Sequence, residues 1–163
     1  MGLWSVRYPI AQGRCSGLVF QPAAMTLTTY PALGADLTSE GYDTRWAGPA
    51  GAAWSTPVDL LRFLGALFDG VLVVPDSLAT MTAAVPVDAG DGPWRRPGYG
   101  LGLMIDQGAG GAGNRIAGHG GGGPGHRSAA FIAPTAGRAA AVLVQAPYEV
   151  DPIEVALRLV RTQ

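Results

Sequence analysis

An α+β fold is predicted by three observations: a leucine-rich stripe at helical spacing, two apolar runs joined by a tight turn, and an amphipathic segment near the end. Together they give a three- to four-stranded antiparallel sheet, a C-terminal helix and a small helical region at 55–85. At 163 residues the chain has room for one core, and 48% apolar against 14% charged residues argues against disorder.

Taken in order, residues 1–19 show no clear helical or strand periodicity, and 20–53, rich in small residues and turn formers, read as a long irregular connection. The first helix begins at Ser55-Thr56. Thr56 caps it, Pro57 takes the first helical position where a missing N–H costs nothing, and Asp59 sits near the positive helix end. Leu60, Leu61, Leu64, Leu67 and Phe68 then share a face, and Gly70 stops the run. A shorter helix is expected from Pro75, with Leu78, Met81 and Val85 inward and Pro86 ending it.

From Pro97 the pattern turns to strand. PGYGLGLMID (97–106) reads as one strand whose alternating glycines leave a bare face for something to pack against. A glycine-rich turn over 108–113 leads to a strand at 115–119. Runs at 128–133 and 138–145 flank Pro134-Thr135-Ala136-Gly137, a hairpin turn. Pro152 to Arg161 is the last helix, with Ile153, Ala156, Leu157 and Val160 on one stripe.

Charge excludes several functions. The net charge is −1, and no basic run suggests nucleic acid or an anionic membrane surface. No apolar run approaches the roughly 20 residues of a membrane span, and the N-terminus lacks a secretory pattern, so the chain as written reads as soluble and cytoplasmic. Cys15 is alone and makes neither an internal disulfide nor a cysteine-rich zinc site.

The densest chemical signal is GHGGGGPGHRS, residues 118–128, whose plain alternative is a flexible glycine-rich loop. Gly118-x-Gly120-x-x-Gly123 matches a dinucleotide-binding spacing, but no helix follows to receive a pyrophosphate. His119-Gly-Gly-Gly matches a lipase oxyanion loop, yet the chain has no G-x-S-x-G elbow. His119 and His126 without a clear third ligand make a weak metal site, and neither metal nor cofactor is expected. Trp94, Arg95 and Arg96 read as a solvated loop with a snorkelling aromatic, the alternative being contact with a substrate carboxylate.

Five stretches in order — GPAGAAWSTPVDLLRFLGALFDG (48–70), VPDSLATMTAA (74–84), YGLGLMI (99–105), GHGGGGPGHRSAAFIAP (118–134) and GRAAAVLVQ (137–145) — carry a resemblance. They resemble consecutive C-terminal segments of the serine β-lactamase and penicillin-binding-protein-like superfamily, closest to its class C β-lactamase and esterase-like branch. FQPAAMTLTTY (20–30) also resembles a family phrase of the form PLGM-x-x-T. The resemblance covers 20–163, read as the C-terminal portion of such a domain, and leaves 1–19 unassigned. It implies half of a β-lactamase-like fold. It maps the family's third motif, Lys-Thr-Gly or His-x-Gly, onto His119-Gly120-Gly121, with the backbone N–H of Gly122 as one oxyanion donor. It further implies a catalytic set of His119, Gly121 and Gly122 and substrate contacts from Gly120, Gly123 and Tyr99.

The family's other two motifs are missing. All eleven basic residues are arginine, so S-x-x-K cannot occur, and Arg is no substitute because it does not give up its proton. The single asparagine, Asn114, has no tyrosine two residues before it, so Y-x-N is absent. Ser16, Ser39, Ser55, Ser77 and Ser128 show no base and orienter beside them. The expectation is therefore the C-terminal portion of a serine hydrolase acting on a small ester or amide, inactive alone and either truncated, mis-started or complemented by a separately encoded N-terminal half. A non-catalytic binding module using the strand around His119 is the alternative. Sheet surface exposed by the missing half predicts a homodimer, a partner or poor solubility, whereas a stable monomer would favour the self-contained module.

Overall fold

In the computed structural model, residues 3–10, 13–20, 55–108, 114–123, 126–145 and 150–161 are described. The first two strands, β1 (Leu3–Ile10) and β2 (Gly13–Phe20), form an antiparallel pair. Helix α1 spans Pro57–Phe68 and α2 spans Pro75–Thr82. Six strands follow in one antiparallel sheet whose spatial order is their chain order: β3 (Val85–Pro86), β4 (Pro97–Tyr99), β5 (Met104–Asp106), β6 (Ile116–Gly123), β7 (His126–Ala133) and β8 (Arg138–Gln145). Helix α3 covers Pro152–Arg161.

The α+β expectation holds, with six strands rather than three or four. Two differences account for the count. The presumed single strand over 97–106 is a hairpin, β4 and β5, because Gly100 N–H bonds to the Leu103 carbonyl and Gly102 takes φ +69°. That left-handed conformation suits glycine and turns the chain back. Val85, expected on the second helix, instead pairs with Tyr99 in β3 and is 68% exposed. A β-branched residue ahead of proline is pushed toward extended backbone, and α2 stops at Thr82 before Pro86 is reached.

Residues 1–19, for which no periodicity was expected, lie largely in β1 and β2. Trp4, Val6, Tyr8 and Ile10 do alternate with Ser5, Arg7 and Pro9, which is the half-buried strand pattern. β2 runs along β8 and touches both α1 and α3. Apart from Phe20, the connection expected over 20–53 lies outside the described residues, as does most of the 108–113 turn.

The core has two faces. Ile116, Ala129, Phe131, Ala133, Ala140 and Val142 pack on one side of the sheet against Ala156, Leu157 and Val160 of α3. On the other side Ile132, Ala139 and Ala141 meet Leu61 and Leu64 of α1. Leu103, Ile105 and Ala117 extend that second face toward Phe68 and Met81. Alternation along β7 and β8 sorts these side chains, odd and even positions facing opposite helices.

The local signals at the helix ends behave as expected. Thr56 Oγ1 accepts the Asp59 N–H at 3.2 Å, and Gly70 leaves α1 with φ +75°. Pro134–Ala136 forms a single 3₁₀ turn that ends on Gly137 at φ +62°, closing the β7–β8 hairpin. No helix among the described residues is long and apolar enough to cross a membrane.

Candidate functional site

Up to Gly123 the glycine-rich stretch is strand β6, and from His126 it is β7. β7 pairs with β6 along its length, from Ala117 opposite Ile132 to Gly123 opposite His126. β5 pairs only with Ile116, Ala117 and Gly118. Past Gly118, β6 therefore has no neighbouring strand on its β5 side among the described residues. His119 through Gly123 offer an open strand edge.

The glycines on this strand are not equivalent. A Cβ on Gly118 would sit 2.0 Å from the Ala130 carbonyl oxygen, so packing within the sheet requires glycine there. At Gly120 a Cβ would meet the tip of Ile153 from α3 at 2.5 Å, and at Gly121 it would meet Ser128 Oγ at 2.4 Å. Gly122 faces open space, with nothing within 4 Å. Of the expected site glycines among the described residues, Gly122 is the one whose bareness no described neighbour explains. Gly123 ends β6, and its surroundings fall outside the described residues.

His119 pairs with Ala130, which pairs with Ala141, placing it on the α1 side of the sheet. Its Nε2 lies 2.9 Å from the Tyr99 hydroxyl oxygen, and the two rings meet edge to face with centroids 5.8 Å apart. Its Nδ1 contacts the Gly120 carbonyl oxygen. By register Tyr99 belongs to the opposite face from His119, since it pairs with Met104, Met104 with Gly118 and Gly118 with Phe131 on the α3 side. The two side chains meet around the edge of β6 that β5 leaves unpaired beyond Gly118. The structure thus brings Tyr99, His119 and Gly120 together, with Gly121 and Gly122 along the open edge.

Among the described residues, the hydrogen bonds of this histidine go to Tyr99 and Gly120 and to no serine hydroxyl. Ser128 Oγ lies over Gly121, but both imidazole nitrogens are engaged by Tyr99 and Gly120. Ser55 is exposed and its hydroxyl turns to the Thr56 carbonyl. Ser39 and the side chains of Ser16, Cys15 and His126 lie outside the description. Among the described residues, no three His, Cys, Asp or Glu side chains gather where a cation could be held.

Sequence reasoning missed Asp106, the one charged side chain buried in the core among the described residues. Its carboxylate accepts the backbone N–H groups of Arg95 at 3.1 Å, Arg96 at 3.0 Å and Gly108 at 3.0 Å. It also pairs with Arg161 of α3, whose Nη1 donates to the Pro93 carbonyl at 2.7 Å. Burial works to raise the Asp106 pKa. The N–H donors of Gly108, Arg96 and Arg95, with the Arg161 guanidinium, outweigh burial and hold it below the usual carboxylate range. In the 94–96 segment Arg95 and Arg96 are exposed, as expected of a solvated loop, while Asp106 holds its backbone and the half-buried Trp94 packs edge to face on Phe131 at 5.7 Å.

A sheet flanked on both faces by helices, with an open glycine edge beside an exposed histidine, fits a hydrolase-type α+β domain. The family model described as Beta-lactamase matches residues 19–162, and the chain belongs to that serine-hydrolase-like family. Among solved structures, a D-stereospecific amidohydrolase from a Streptomyces species is similar at 37% identity with a TM-score of 0.47. The match covers 56% of this chain and 26% of that one, so this chain spans about a quarter of that protein's length. A search of curated proteins finds no match.

Proposed function

We propose that this chain contributes the glycine strand and oxyanion cradle of a serine-hydrolase site that cleaves ester or amide bonds through an acyl-enzyme. The observation that carries this reading is the open edge of β6, bare at Gly122 and flanked by His119. In the proposal an acyl carbonyl lies along that edge and the Gly122 N–H donates to its oxygen as negative charge develops. Such a donor lowers an acyl-transfer barrier by about 3–4 kcal/mol. His119, Gly120, Gly121, Gly123 and Tyr99 border the same groove in this reading.

The chain by itself is proposed to be inactive. A serine hydroxyl needs a neighbouring base, and no lysine exists here to form S-x-x-K. Both nitrogens of His119 are already engaged, which also argues against imidazole as that base. Nucleophile and base are proposed to come from a polypeptide segment carrying S-x-x-K and Y-x-N, encoded either ahead of Met1 or separately.

Incubating the purified chain with a chromogenic cephalosporin and a p-nitrophenyl ester tests this directly. Release at the background rate and an unmodified intact mass are expected. Turnover with an acyl adduct mapped to a serine of this chain would overturn the claim of inactivity. Reading the coding sequence around Met1 for S-x-x-K and Y-x-N tests the two-part arrangement.

The unpaired edge of β6 also favours a second reading, a binding module that accepts an extended ligand strand without chemistry. Sedimentation separates the two. A dimer or a partner-dependent species supports the incomplete-site reading, and a stable monomer supports the self-contained module.

A further inference from the structure

We infer that Tyr99 is a positioning residue for His119, holding the imidazole as the Nδ1–H tautomer and orienting it at the open edge of β6. The inference rests on the proposed reading of His119 as a site residue, but its chemistry is independent of turnover. Nδ1 of His119 contacts the Gly120 carbonyl oxygen, which has lone pairs only, so Nδ1 must carry the hydrogen. In the neutral ring Nε2 is then a bare acceptor. The partner 2.9 Å away is the Tyr99 hydroxyl, which donates to it. The two contacts agree on one tautomer, and each fixes the ring from a different strand.

The placement of Tyr99 serves this role. It ends β4, immediately before Gly100, whose N–H bonds to the Leu103 carbonyl and so sets the β4–β5 turn. The phenol is 40% exposed, and its ring meets the imidazole edge to face with an interplanar angle of 84°. A side chain present only to fill the core would have no need of that exposure or of its hydroxyl. The pair also has a definite polarity. The Tyr99 proton is committed to Nε2 and the Nδ1 proton to Gly120, so only phenolic lone pairs remain to meet a ligand. A group reaching this pair in its neutral state must bring its own N–H or O–H.

Long-range proton–nitrogen correlation on the ¹⁵N-labelled full chain reads the tautomer directly. The chain has two histidines, and His126→Gln assigns the signals. At a pH of about 8, above the ordinary imidazole range, His119 should show a protonated Nδ1 and an unprotonated Nε2. Tyr99→Phe removes one hydroxyl and keeps the ring. It should shift the tautomer ratio of His119 toward Nε2–H by a few-fold up to about tenfold, with the His126 signals unmoved. A predominantly Nε2–H ring in the wild-type chain, or a His119 spectrum unchanged in Tyr99→Phe, overturns the inference. Should the substitution unfold the chain, the wild-type tautomer still decides. The hydrolase reading is tested separately by adduct formation, so either can fail without the other.

Discussion

Asp106 and Arg161, 55 positions apart in the chain, join their side chains at 2.5 Å, with Asp106 wholly buried and Arg161 partly buried. Through this contact the end of α3 is tied to β5. Because Asp106 also holds the backbone of Arg95 and Arg96, one carboxylate joins the sheet, the 94–96 segment and the last helix. Removing one member of such a set leaves a buried charge and unpaired N–H groups, which costs more than the pair contributes when intact.

Asp106→Ala should therefore lower the unfolding free energy by about 3–5 kcal/mol. Urea denaturation at neutral pH measures it. A loss below about 1 kcal/mol would show that solvent or rearrangement replaces the carboxylate.

The same residue makes stability depend on acid. Its folded pKa lies below the unfolded value of about 3.9, so its contribution is fully present above that value. It is lost as pH falls through the lower folded value. The urea midpoint should drop between about pH 4 and more acidic conditions, and Asp106→Asn should flatten that drop. An identical acid profile in the two chains would remove Asp106 as the cause.

Two glycines on β6 should answer differently to the same change. Gly118→Ala places a methyl group 2.0 Å from a backbone oxygen, which cannot yield as a side-chain tip can. A loss of about 1–3 kcal/mol or more is expected. Gly122→Ala meets nothing, so the melting transition should stay within about 0.5 kcal/mol of wild type. Thermal unfolding of the pair checks this, and equal losses would contradict the open edge.

What the sequence made legible was mostly local. Thr56-Pro57, Gly70 and the Pro134–Gly137 turn are short-range chemistry, and the leucine stripe and the terminal helix are periodic over several turns. The 97–106 segment was misread because glycine alternation looks the same in a bare strand and in a hairpin; φ at Gly102 decides, and sequence does not display it. Asp106 was invisible for another reason. Its partners Arg95, Arg96 and Arg161 converge only after the sheet and α3 have packed. For the candidate site, the family resemblance singled out 119–123, but that these residues line a strand edge came only from the sheet pairing. The Tyr99–His119 hydrogen bond joins side chains from opposite faces around the edge where β5 stops pairing with β6, which only the folded sheet displays.

Gly100 couples the helical region to that site, and its substitution gives the most discriminating result. The Leu101 N–H donates to the Met81 carbonyl at 3.0 Å, and Arg115 Nη1 donates to the Thr82 carbonyl at 3.2 Å, so the end of α2 is held against the sheet. A Cβ at Gly100 would sit 2.0 Å from that same Met81 oxygen. The backbone must then move apart, and the residue next to the displacement is Tyr99. Gly100→Ala should cost about 1–3 kcal/mol and also loosen the Tyr99 hydroxyl from His119 Nε2. Thermal unfolding reads the first effect and the His119 tautomer reads the second. A destabilised chain whose imidazole keeps its Nδ1–H form would show that the hairpin absorbs the strain without passing it to the histidine, and the proposed coupling between α2 and the strand edge would be wrong.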